Sequence, residues 1–123
     1  MISALVIDDN RQTADSLCDM LGLLEVQAMP LYGARTAVLE LSKQVPDVIF
    51  LDINMPGVSG YEVLSYVRRD PRLQDVPVFM VTSDDQPQTA ERARKTGALL
   101  TIVKPVTIEA IENALRKIGL IRL

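Results

Sequence analysis

The sequence contains no histidine and only one cysteine among its 123 residues. The chain therefore has no imidazole base, no imidazole metal ligand and no phosphohistidine of its own, and any such chemistry must come from a partner. A single cysteine also excludes an internal disulfide. Cys18 falls in an apolar row with Ala14, Leu17 and Leu21, which indicates a small side chain of the core.

An excess of positive charge and a long hydrophobic run are also absent. The formal net charge is −3, which argues against a surface for nucleic acid. The apolar stretch before Asp8 is far too short for a signal peptide or a membrane span. We therefore expect a cytoplasmic protein that contacts neither membranes nor nucleic acid directly.

What is present suits one folded unit spanning residues 1–123. Hydrophobic residues make up 48% of the chain and charged residues 24%, as in soluble globular proteins. Five short apolar runs of strand length occur at Ser3–Ile7, Glu25–Met29, Val48–Leu51, Pro77–Val81 and Leu100–Val103. Each is followed by a helical pattern, and Pro87 and Thr107 are typical of helix starts. This alternation predicts an α/β fold with a doubly wound parallel sheet covered by helices on both faces.

Polar residues follow the predicted strands at the sheet edge where ligands bind in such folds. They are Asp8 and Asp9 after the first strand, Asp52 after the third, Thr82 after the fourth and Lys104 after the fifth. Each alone has an ordinary explanation: the aspartates, with Asn10, could cap the first helix, Thr82 could start a turn, and Lys104 could be solvated. Local capping does not explain why three carboxylates, a hydroxyl and an ammonium meet at one edge, so the combination indicates a site.

Three carboxylates in one crevice repel each other, so we expect at least one raised pKa and a need for a cation. Oxygen ligands alone favour a hard ion such as Mg²⁺ and suit zinc poorly. The chain lacks the glycine-rich loops that hold nucleotide phosphates. A carboxylate can instead attack a phosphoryl group itself when a metal and a fixed cation offset the developing charge. Asp52, Mg²⁺ and Lys104 meet that requirement.

Four segments resemble the receiver domains of response regulators, and the resemblance covers essentially the whole chain. The segments are Val6-Ile7-Asp8-Asp9-Asn10, Phe50-Leu51-Asp52-Ile53-Asn54-Met55-Pro56-Gly57-Val58-Ser59-Gly60, Met80-Val81-Thr82-Ser83 and Val103-Lys104-Pro105. The resemblance implies a flavodoxin-like sheet of five strands in the order 2-1-3-4-5 with five helices. It also implies a signalling domain that catalyses only its own phosphorylation and dephosphorylation.

The resemblance further implies a role for each residue of the pocket. Asp52 would accept a phosphoryl group from a phosphohistidine or a small phosphodonor. Asp9, Asp52 and the backbone carbonyl of Asn54 would bind Mg²⁺, with Asp8 acting directly or through water. Lys104 would pair with a phosphoryl oxygen.

The same resemblance implies how the phosphoryl group becomes a signal. The Thr82 hydroxyl would bond a phosphoryl oxygen and draw its loop inward, and the Lys104–Pro105 peptide bond would be cis. The implied partners are a sensor histidine kinase or phosphotransfer protein and a downstream protein target, with the domain a monomer or a weak dimer. Pro56, Gly57 and Gly60 would shape the loop after the third strand without doing chemistry.

One departure concerns the readout. Many receivers carry tyrosine or phenylalanine three residues before the lysine, where this chain has Thr101. The two preceding positions, often acidic in DNA-binding members of the family, are Leu99 and Leu100. These leucines either pack at the start of the fifth strand or form an apolar surface for another protein.

Two other functions compete with the phosphorylated receiver. A pseudo-receiver docks partners without phosphorylation, but such domains typically lose the acidic pair, the acceptor or the lysine, and this chain has all of them. A phosphatase of the haloacid-dehalogenase type carries a second acid two residues after its nucleophile. Asn54 occupies that position here.

Overall fold

The computed structural model describes residues 1–121, and strands and helices alternate strictly through them. The elements are β1 Ser3–Ile7, α1 Arg11–Leu23, β2 Gln27–Leu31, α2 Ala34–Leu41, β3 Val48–Asp52, α3 Gly60–Arg69, β4 Val78–Thr82, α4 Pro87–Thr96, β5 Leu100–Val103 and α5 Ile108–Lys117. The five strands are parallel and lie in the order β2-β1-β3-β4-β5. The predicted doubly wound fold and strand order are therefore confirmed. Of the predicted single unit, Arg122 and Leu123 lie outside the described residues.

The sheet is buried on both faces, which explains why its strands lack polar alternation. Ile7, Leu51 and Met80 face a core shared with α2, α3 and α4. The neighbouring residues of the same strands, such as Val6, Phe50 and Val81, point to the opposite face and form a second core with α1 and α5. In this core the ring centroids of Phe50 and Phe79 lie 5.4 Å apart. Cys18 is partly buried against this second core, as its apolar row predicts, and burial raises the pKa of its thiol to about 11.

The predicted position of the second strand was wrong by two residues at each end. Glu25 has a φ of 63° and closes the turn after α1, so it cannot belong to the strand. At the other end, β2 continues through Pro30 to Leu31. Because β2 is an edge strand, Pro30 can remain in it despite having no N–H to donate.

The predicted helix starts are confirmed. Pro87 is the first residue of α4. Thr107 caps α5, its Oγ1 accepting a hydrogen bond from the Ala110 N–H at 3.1 Å. No helix among residues 1–121 is long and apolar enough to cross a membrane.

Arg68 holds together the loops at the amino edge of the sheet. Its guanidinium donates hydrogen bonds to the carbonyl oxygens of Gly97, Gln74 and Val76, at distances between 2.8 and 3.0 Å. Gly97 ends α4 with a φ of 125°, and a Cβ there would meet the Arg68 side chain at 2.9 Å. Only glycine satisfies both the backbone angle and the space at this position.

A backbone hydrogen bond joins the two ends of the loop that connects β3 to α3. The Gly60 N–H donates to the carbonyl of Ile53 at 2.7 Å, so the intervening loop is tied directly to the end of β3. A Cβ on Gly60 would collide with the carbonyl oxygen of Asp52. The prediction that Gly60 supports the sheet edge structurally agrees with this close approach.

Candidate functional site

The carboxyl ends of the central strands bring the predicted polar residues into one pocket. Asp8 and Asp52 are each 4% exposed, and each accepts a bond from the Lys104 ammonium, at 3.1 Å and 3.3 Å respectively. Asp9 is exposed at the rim. One oxygen from each of Asp8, Asp9 and Asp52 can be chosen such that all lie within 4.8 Å of one another.

Capping accounts for part of this arrangement, although it leaves the pocket unexplained. Asn10 is the N-cap of α1, and its side chain accepts from the Thr13 N–H at 3.0 Å. One oxygen of Asp8 accepts from the Asn10 N–H at 2.9 Å, while the other pairs with Lys104. Asp8 therefore both shapes the turn and contributes to the pocket, and Asp52 has no capping role that would explain its burial.

Burial and the neighbouring charge of Asp8 raise the pKa of Asp52 to about 6, although Lys104 and the Asn54 backbone N–H oppose the rise. The expectation of a raised carboxylate pKa is confirmed, but burial contributes more than the expected repulsion. Burial lowers the pKa of Lys104, but its hydrogen bond to Asp8 and the charges of Asp52 and Asp8 raise it overall. The lysine therefore stays charged at neutral pH.

The donor set fits a small hard cation. Three carboxylates face one ammonium, so a divalent ion offsets the negative charge that Lys104 leaves. The candidate ligand atoms are carboxylate oxygens, which are the ligands that Mg²⁺ prefers. Asn54 lies at the mouth of the pocket, where its side chain is exposed.

Thr82 is fully buried beside the pocket, and its hydroxyl is tied to the loop that follows. Its Oγ1 accepts from the Asp84 N–H at 3.1 Å. The Asp84 carboxylate in turn accepts from the Gln86 N–H at 2.9 Å and from the Thr89 hydroxyl at 2.5 Å. Asp84 therefore joins Thr82 to the first turn of α4, a role that the sequence analysis did not identify. An aspartate that accepts from the N–H two residues later, as Asp84 does from Gln86, is common in turns and could have indicated it.

The structure distinguishes the two leucines that precede Thr101. Leu100 is partly buried and packs against the core of α1 and α5, which confirms the packing alternative for that residue. Leu99 is 50% exposed and Val103 is 44% exposed. The Lys104–Pro105 peptide bond is cis, as expected.

Comparison with known proteins gives a consistent match. Residues 4–116 match the model of the response regulator receiver domain family. The chain is 34% identical over 122 residues to an uncharacterized response regulatory protein of Vibrio cholerae, covering 96% of this chain and 48% of that protein. It is 30% identical over 110 residues to a probable cyclic di-GMP phosphodiesterase of the same organism, covering 89% of this chain and 24% of that protein. The chain thus spans half or less of the length of these relatives.

A solved structure agrees in fold. The chemotaxis protein CheY4 of Vibrio cholerae superposes with a TM-score of 0.89 at 26% identity, covering 95% of this chain and 98% of that chain.

Proposed function

Because the chain belongs to the receiver-domain family of response regulators, we propose that it is a Mg²⁺-dependent phosphoacceptor that takes a phosphoryl group onto Asp52. The observation that carries this proposal is the pairing of buried Asp52 with Lys104 inside a cluster of three carboxylates. Receiver domains are signalling domains rather than classical enzymes. The proposed chemistry is therefore a self-modification that serves as a signal.

In the proposed reaction a carboxylate oxygen of Asp52 attacks the phosphorus of a phosphohistidine on a sensor kinase or phosphotransfer protein. The new P–O bond forms as the P–N bond breaks, and the imidazole leaves with its electron pair and takes up a proton. Bound Mg²⁺ supplies charge neutralisation at the phosphoryl oxygens. Asp8, Asp9, Asp52 and the Asn54 carbonyl are the residues that would hold it.

The remaining residues position and report the phosphoryl group. Lys104, already 3.3 Å from Asp52, exchanges part of its carboxylate pairing for a phosphoryl oxygen. The Thr82 hydroxyl donates to another oxygen, which changes the environment of its bond with Asp84. The signal then passes to a downstream protein through the region after β4, where Leu99 offers an apolar anchor.

The test is intact-mass measurement after incubation with Mg²⁺ and a small-molecule phosphodonor. The protein should gain one phosphoryl group that hydroxylamine removes, as expected for an acyl phosphate. Asp52→Asn should gain none, whereas Asp19→Asn, a matched change at an exposed carboxylate of α1, should gain as much as the wild type.

Two results would contradict the proposal. One is the absence of any gain by the wild type under conditions that phosphorylate a control receiver, which would favour the pseudo-receiver alternative. The other is equal labelling of Asp52→Asn, which would place the acceptor elsewhere.

A further inference from the structure

A groove of about 480 Å³ lies between α2 and α3, on the side of α3 away from α4. Its walls are mainly apolar, with Val38 and Leu39 from α2, Val63 and Tyr66 from α3, and Val58 from the loop before α3. Leu39 is 56% exposed, which is high for a large aliphatic side chain on a helix. The groove is therefore an apolar surface that the domain leaves in contact with solvent.

Val63 belongs to the core, and Val58 and Tyr66 pack against it, but Leu39 is exposed and is not among the core residues. The buried side of α2 consists of Ala37 and Leu41, which are spaced by one helical turn and are fully enclosed. Leu39 lies two positions from each of them and so points to another side of the helix. A polar residue at position 39 would leave the packing of Ala37 and Leu41 unchanged, so folding alone does not explain the leucine.

The charges around the groove are also unexplained by contacts within the domain. Among residues 1–121, most lysines and arginines make an ion pair, a hydrogen bond or a contact over an aromatic ring. The exceptions are Arg35, Lys43, Arg69 and Lys117. Two of these four, Arg35 and Arg69, line the groove.

Arg35 is the more informative of the two. It lies in the first turn of α2, where the positive end of the helix dipole disfavours a cation. Helix stability therefore gives no reason for an arginine at this position. Glu62 is the one carboxylate on the wall, and it lies in the first turn of α3, where the dipole favours an acid. On the other side of α3, Arg69 and Arg92 line a polar depression in which Glu62 is again the one carboxylate.

We propose that the α2–α3 groove binds an acidic amphipathic helix of a partner protein. Apolar side chains of the partner pack between Leu39 and Tyr66, and its carboxylates pair with Arg35 and Arg69. Charge complementarity selects this occupant, because the groove is lined by unpaired arginines in a protein whose net charge is −3. Helices that bind grooves of this kind carry apolar residues at helical spacing.

The experiment is a selection of displayed random peptides of roughly 16 residues, about four helical turns, on the wild-type domain, with counter-selection on Leu39→Glu. The enriched peptides should be acidic, with apolar residues at intervals of three and four. Their affinity should fall about tenfold or more in Arg35→Glu/Arg69→Glu. It should change little in Lys43→Glu/Lys117→Glu, which carries the same net charge and alters the two unpaired lysines outside the groove. Circular dichroism checks that each variant is folded.

Several results would overturn the proposal. They are enrichment of basic or neutral peptides, no enrichment relative to Leu39→Glu, or equal loss of affinity in both double variants. Self-association of the wild type in sedimentation experiments that Leu39→Glu abolishes would assign the groove to a second copy instead. Binding to vesicles of anionic lipid that depends on Leu39 would assign it to a membrane surface.

Discussion

Partly buried charged groups lie at both ends of the strands, one at the amino ends and one at the carboxyl ends. The two groups are stabilised in different ways. At the amino edge, the donors of Arg68 meet backbone carbonyls that the fold holds in place. At the carboxyl edge, Asp8 and Asp52 share the single ammonium of Lys104, and Asp9 adds a third carboxylate beside them. The first group has its partners within the chain, while the second retains an excess of negative charge at neutral pH.

This difference separates a charge whose partners the fold supplies from a group of charges that the fold pairs only in part. Carbonyl acceptors around Arg68 carry no formal charge, so the arginine gains fixed hydrogen bonds without forming an ion pair there. In the absence of metal, the burial and mutual repulsion of the carboxylates destabilise the folded state, and they raise the pKa of Asp52 to about 6. We therefore expect opposite effects on stability when each charge is removed.

Arg68→Ala should have the largest effect. Loss of the guanidinium leaves several carbonyls around Gly97 and Val76 without a donor, so the free energy of unfolding should fall by about 3 kcal/mol or more. Urea denaturation measures the change. Arg69→Ala is the matched control, because that exposed neighbour makes no such bonds, and its stability should change little. Similar losses in both variants would mean that the Arg68 bonds do not stabilise the loops.

Asp52→Asn should stabilise the domain in the absence of Mg²⁺, by about 1–3 kcal/mol at pH 7. Because the pKa of Asp52 is raised to about 6 from 3.8, its neutral form favours folding, and that contribution is lost as pH rises between these values. The advantage of the variant should therefore be small near pH 4 and full above pH 6. If the difference in stability between Asp52→Asn and the wild type were the same near pH 4 and above pH 6, the buried charge of Asp52 would not destabilise the fold.

Mg²⁺ binding should weaken as pH falls through about 6, because protonation of Asp52 removes a ligand charge. At neutral pH, Asp9→Ala should weaken the affinity by about tenfold, or about 1.4 kcal/mol. Calorimetric titration of Mg²⁺ measures both effects. Unchanged binding in Asp9→Ala, or no binding at tens of millimolar, would contradict the assignment of the pocket as a metal site.

The smallest expected effect concerns the signal that leaves the pocket. With beryllium fluoride as a phosphoryl mimic, the largest amide shifts away from the pocket should fall between Ser83 and Val103. They should shrink in Thr82→Ala, which removes the acceptor of the Asp84 N–H. Shifts confined to the first three strands and their loops, or equal in the variant, would mean that another element reports the phosphoryl group.

The resemblance to receiver domains was sufficient to predict the strand order. The polar residues at the ends of the buried strands were sufficient to predict which side chains meet in the pocket. The sequence was less informative where geometry depends on distant parts of the chain. The predicted position of the second strand was wrong because the sequence does not indicate that Glu25, a non-glycine residue, has a left-handed backbone conformation. The bonds of Arg68 and the α2–α3 groove depend on helix placement, so periodicity alone could not show them.

The contact between Gly60 and the end of β3 restricts how this region can vary among related sequences. The loop from Asn54 to Ser59 can vary mainly at its exposed positions, Asn54 and Pro56, because Met55 lies in the core, Val58 packs against it and Gly57 has a φ of 78°. Position 60 itself can accept no substitution without moving α3 away from the carbonyl of Asp52. Natural variation should therefore change the exposed side chains at the mouth of the pocket while keeping the distance between helix and acceptor constant.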